Sequence, residues 1–161
     1  MSNQKFRVGA DDVRYLALAG RQLFSVIFII ASAGHFIPGT AAWAAQRGVP
    51  MAGVLVPASG LIALAGGLSV LFGYRARLGA WLLVVFLVPV TLSMHNFWAA
   101  SDPMTFQIQL TLFARNLLLL GGALFIAHVG AGSLSLDALM AEPVAELSLM
   151  SESVPELDYR A

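Results

Sequence analysis

Residues 78–97 read LGAWLLVVFLVPVTLSMHNF, twenty positions without an aspartate, glutamate, lysine or arginine, closing on His95-Asn96-Phe97. About 20 mainly apolar residues cross the hydrocarbon core as a helix, at roughly 1.5 Å of rise per residue. This stretch therefore reads as a membrane span, with Arg75 and Arg77 marking its polar entrance. Working outward, three more stretches meet the same requirement, at 15–36, 51–73 and 107–129. The breaks between them are Ile37-Pro38-Gly39, Tyr74-Arg75-Ala76-Arg77 and Ser101-Asp102-Pro103, with Gly130-Ala131-Gly132 closing the last. Proline and glycine at such points end helices, and short connections favour antiparallel neighbours. The expected fold is all-α, a four-transmembrane-helix antiparallel bundle over 15–132, preceded by an N-terminal segment, 1–14, and followed by an acidic tail, 133–161.

The composition agrees. Of 161 residues, 58% are hydrophobic and 11% charged, which cannot clothe a water-soluble surface. The 9 basic and 9 acidic side chains cancel, so no electrostatic footprint for nucleic acid exists, and the lack of cysteine removes disulfides, thiolate metal sites and iron–sulfur clusters. Lys5, Arg7, Arg14, Arg75, Arg77 and Arg160 fall on one side of the bundle and Arg47 on the other. Basic residues near span ends resist translocation, so the first side, with both chain termini, is expected to be cytoplasmic. A rival reading takes residues 1–33 as a secretory leader ending at Ala31-Ser32-Ala33.

Within the spans, Gly53, Gly60, Gly66 and Gly67 give the second helix a small-residue face on which another helix can pack closely. Pro57 and Pro89 each remove a helix donor. Thr40 to Arg47 reads as a short interfacial helix with Trp43 at headgroup level. Arg21 stands close enough to the cytoplasmic boundary for its stem to reach headgroups.

Polar groups inside spans are costly and mark sites. On the assigned topology they gather in the outer half: His35 ends the first helix, His95 and Asn96 end the third, and Gln107, Gln109, Arg115 and Asn116 enter with the fourth. Arg115 lies on the order of 13 Å inside the outer boundary, too deep to snorkel easily. It leans toward the N-terminus of its helix while His95 leans the other way, so both are expected at one cavity. Gln109 and Asn116 share a helix face, and Trp98 can wall the pocket. The plainer alternative is that these groups only tie helices together, with His35 bonded to headgroup water. A b-type haem on His35 and His95 is disfavoured because both sit at helix ends, and no metal set is expected.

Several blocks resemble the DoxX family of small four-helix bacterial membrane proteins: Gly34-His35, Gly48-Val49-Pro50, Ser59-Gly60-Leu61 with Gly66-Gly67, and Gly73 before Arg75-Ala76-Arg77. To these add His95-Asn96-Phe97-Trp98, Phe113-Ala114-Arg115-Asn116 with Gly121-Gly122, and the exit from Gly130 to Asp137. The resemblance spans about residues 20–137. Arg115-Asn116 stands where the family usually has Lys-Asn, and the lysine often seen near the first helix end is replaced around His35. The family includes the small subunit of thiosulfate:quinone oxidoreductase. It implies a multi-pass protein of the bacterial inner (cytoplasmic) membrane, serving as an accessory or quinone-interacting subunit of a membrane redox system.

On that expectation Arg115 polarises a quinone-like ligand, Gln109 and Asn116 orient it, His95 exchanges a proton, and Asn96, Trp98 and His35 complete the binding site. A quinone is then the expected cofactor, none is covalent, and a redox partner subunit completes electron transfer. A homodimer is also compatible with so small a bundle. A non-catalytic membrane scaffold, docking partners through Gly60, Gly66 and Gly67, is the alternative, which leaves open whether the chain is an enzyme.

Overall fold

The computed structural model describes residues 9–141. Lys5, Arg7, Arg160 and most of the expected acidic tail lie outside these. Among the described residues the main elements follow in the order α1 (Ala10–Ala33), the 3-10 turn Gly34–Phe36, α2 (Thr40–Gln46), α3 (Ala52–Phe72), α4 (Ala76–Met94), the 3-10 turn Phe97–Ala99 and α5 (Pro103–Val129), with residues 136–141 helical beyond them. Among the described residues, four helices are long and apolar enough to cross a membrane, α1, α3, α4 and α5. The spans read from sequence hold to within a few residues. The fourth begins earlier than expected because Asp102 accepts a 2.9 Å hydrogen bond from the Thr105 N–H and Pro103 takes the first helical position.

Neighbouring helices pack in the order α1–α3–α4–α5. The core cluster joins Phe28 of α1, Ala63 and Val70 of α3, Ala80, Leu83, Phe86 and Leu87 of α4, and Ala123 of α5. Pro57 and Pro89 lie inside unbroken helices. Small residues set the α3–α4 distance: a methyl group on Gly66 would stand 2.9 Å from the Gly79 carbonyl oxygen and 2.8 Å from Leu83 Cδ2. Gly67 lies similarly close to Phe28 and Ile29, and Gly60 lies beneath His35. Gly60, Gly66 and Gly67 are thus consumed inside the bundle, while Gly53 is exposed. The first three do not face outward for partners, as the scaffold reading requires.

α5 closes the bundle less completely. It meets α1 where the Phe24 ring sits over Gly122, and its side bearing Gln109, Asn116 and Ala123 is buried. Its outward face is uncovered, with Leu118 79% and Phe125 67% exposed.

At the Arg75–Arg77 end, a knot of polar contacts replaces the snorkelling arginine expected from sequence. Arg21 is buried, donating from Nη1 to the Ala131 carbonyl (2.6 Å) and from Nη2 to the Leu134 carbonyl (2.8 Å). Asp137 accepts hydrogen bonds from the Arg75 and Ala76 N–H groups (2.6 and 3.0 Å), satisfying donors at the start of α4, while its own N–H donates to the Gly73 carbonyl. Gly73, at φ 65°, has no room for a side chain between Arg21 and Ser135. The stretch from Leu134 to Asp137 therefore folds back onto the bundle, where the sequence reading had placed the start of the acidic tail.

Candidate functional site

At the opposite end, α1, α3 and α4 enclose a 560 Å³ cavity roofed by α2. Its walls are largely apolar: Val56, Ile62, Phe86 and Val90 line the interior, while Trp43 and Ala44 of α2 lie above. The polar groups on its lining include Ser59, Ser93 and the two histidines, His35 and His95. α2 is held down by its own small cluster, Ala44 against Ala52 and Val56.

The two rings are positioned differently. His35 sits in the 3-10 turn after α1, edge-on to Phe86 with centroids 5.5 Å apart, and Gly60 offers the space for its Cβ. Its Nδ1 is 3.2 Å from the Ala31 carbonyl, an acceptor only, so Nδ1 carries a proton, and in the neutral ring Nε2 is then an acceptor. His95 follows the last residue of α4, and its Nδ1 is 3.2 Å from the Gln109 side chain of α5.

The orientation of that amide follows from its neighbours. With its NH2 turned toward Met94, Gln109 donates to the Met94 carbonyl (3.2 Å) and to His95 Nδ1 (3.2 Å), and its oxygen accepts from Arg47 Nη1 (3.1 Å). The reverse orientation would bring two oxygens together. In the satisfied arrangement His95 Nδ1 is an acceptor, so Nε2 bears the proton. One histidine thus retains an acceptor and the other a donor.

Arg47, at the end of α2, also donates to the Met94 carbonyl (2.9 Å), and its guanidinium lies 4.4 Å from the centre of the Trp43 ring. It therefore ties the roof to the ends of α4 and α5. Sequence reading counted Arg47 only as a topological charge. The available signal was Trp43 four residues earlier on a helix, the spacing at which side chains meet.

The other candidates separate. Asn116 is buried on α5, but Arg115 does not join His95 at the cavity: its side chain is exposed on the flank of the bundle and donates to Asn116 Oδ1 at 3.4 Å. The reason is angular, because Arg115 is one residue, about 100°, away from the buried Asn116. Asn96 precedes the turn Phe97–Ala99 and is half-buried outside the cavity lining. Trp98 is exposed, stacked edge-on with Phe97 and Phe113 beside α5. Of the residues expected at one site, His35 and His95 share the cavity and Gln109 supports it from behind.

Comparison with known proteins agrees with this architecture. The DoxX family pattern matches residues 16–96, from α1 to just past His95. The Escherichia coli (strain K12) inner membrane protein YqjF is 30% identical over 125 residues, covering 76% of this chain and 90% of that protein. No solved structure matches the chain. With the match running through the histidine-lined end and four spans in place, the chain belongs to the DoxX family and is a multi-pass inner membrane protein.

Proposed function

We propose that the chain is a quinone-interacting accessory subunit of a membrane redox system, and that the ligand head group occupies the cavity between His35 and His95. The observation that carries this reading is the pairing of an apolar cavity with one histidine acceptor and one histidine donor. A 560 Å³ volume lies within the roughly 300–1,000 Å³ of small-molecule sites. A quinone presents carbonyl acceptors to His95 Nε2–H, and its reduced form presents a hydroxyl to His35 Nε2. The apolar lining suits an isoprenoid tail arriving from the bilayer. His95 is the proton-exchanging residue in this reading, with Gln109 and Arg47 holding its ring, and a partner subunit supplies the electrons.

The basic residues of the described chain, Arg14, Arg75 and Arg77 against Arg47, support placing the Arg21 end on the cytoplasmic side and the cavity in the outer half of the membrane. The sequence adds Lys5, Arg7 and Arg160 to the same side.

Titrating the detergent-purified protein with decylubiquinone, read by tryptophan fluorescence, tests the site. His95→Ala is expected to weaken binding about tenfold, the effect of roughly 1.4 kcal/mol, and Ala58→Phe to abolish it by filling the cavity. Arg115→Ala is expected to bind as wild type. Equal affinities for all four proteins would remove the quinone role and leave a non-catalytic scaffold.

A further inference from the structure

We propose that the exposed flank of α5 is the docking surface for a transmembrane helix of a different protein, and that Arg115 pairs there with an aspartate or glutamate carboxylate carried by that helix. Arg115 is the thirteenth residue of a 27-residue span, about 18 Å along the axis from Pro103, and so lies near the middle of the membrane. A cation at that depth requires compensation. Among the described residues, its side-chain hydrogen-bond partner is the neutral Asn116, at 3.4 Å.

The charge balance points outside the molecule. None of the four spans contains an aspartate or glutamate. Asp102 is thirteen residues from Arg115 and already caps α5 through Thr105. A second copy of this chain has no intramembrane carboxylate to offer either, and a two-fold contact through this flank would bring two Arg115 side chains together. A helix from another protein with a carboxylate at matching depth satisfies both the charge and the surface.

The surface beside Arg115 has the form a helix needs. Ala114, Leu118, Gly121 and Phe125 recur at helical spacing along one exposed face, and a Cβ built on Gly121 meets nothing within 4 Å. Small residues at 114 and 121 allow backbones to approach, with Leu118 between them as an apolar contact. Gly122, seven residues beyond Arg115 on the same side of the helix, meets Phe24 of α1. Arg115 therefore lies along the α1–α5 seam, above the point where these helices touch. The proposal is independent of the quinone reading, since no residue of α5 lines the cavity.

The test replaces Leu118 with benzoylphenylalanine in the full chain and irradiates native membranes. The expected product is an adduct with another membrane protein that carries an aspartate or glutamate within a span. Its yield should fall at least tenfold in Arg115→Gln and persist in Arg115→Lys. Neutralising the partner's carboxylate, with this chain otherwise unaltered, should cause the same loss, which guards against an Arg115→Gln protein that simply fails to accumulate. An adduct with a second copy, with lipid alone, or with a protein lacking an intramembrane carboxylate overturns the proposal. So does the absence of an adduct, or a yield indifferent to Arg115→Gln. Quinone titration of Arg115→Gln, unchanged in either case, keeps the two readings apart.

Discussion

Gln109 serves three neighbours with one amide, donating to Met94 and His95 and accepting from Arg47. Replacing it with leucine preserves most of the volume but leaves His95 Nδ1 without its donor and Arg47 without its amide acceptor, only the bond from Arg47 to the Met94 carbonyl remaining. Gln109→Leu should lower stability by about 1–3 kcal/mol in detergent unfolding. It should also release the His95 tautomer, which nitrogen chemical shifts of the imidazole would register. At the other end, Arg21→Leu leaves the Ala131 and Leu134 carbonyls unpaired and should cost roughly 2 kcal/mol or more, with Arg21→Lys recovering part of it because an ammonium lacks the fork that spans both oxygens. The polar residues were visible in the sequence as costly groups, but their directions were not. Lipid is as apolar as the bundle core, so the Leu-rich sequence of α5 gives no contrast between inside and outside, and the single-residue step from Asn116 to Arg115 could not be assigned a side.

For the helices, length and breaks were enough. The uninterrupted apolar runs at 51–73 and 78–97 became α3 and α4 to within one residue and three residues at their ends, because a spanning backbone must satisfy its own hydrogen bonds. What the runs did not disclose was the use of their glycines. Gly66→Ala should force α3 and α4 apart at Gly79 and lower the unfolding free energy by about 1–3 kcal/mol, whereas Gly121→Ala, in open space, should leave the isolated protein as stable as wild type or slightly more so. Thermal unfolding of the two variants side by side makes the comparison. The start of α5 offers a pH test. Hydrogen bonding from Thr105 holds the Asp102 carboxyl below the usual carboxylate range. Its contribution is complete above the unfolded value of about 3.9 and is lost as pH falls through the lower folded value. Unfolding midpoints of wild type and Asp102→Asn, whose neutral amide still caps the helix, should run parallel above about pH 5 and diverge below about pH 4.

At the scale of the whole molecule, the two ends are built differently. One end is locked by backbone carbonyls and a carboxylate around Arg21, Gly73 and Asp137, while the other leaves a cavity under a short helix. Asp137→Ala should loosen the first end only, exposing the start of α4 to faster amide hydrogen exchange at Arg75 and Ala76 while quinone binding stays unchanged. The four-helix bundle could be read from span length and breaks, whereas this polarity of construction depends on contacts between residues 61 to 113 positions apart. The Arg21 contacts also bear on biosynthesis. Its acceptors lie 110 and 113 residues further along the chain. A nascent chain therefore carries this cation in its first helix without these acceptors until residues 131–134 have been synthesised, so the end that Arg21 locks can close only after all four spans have been made.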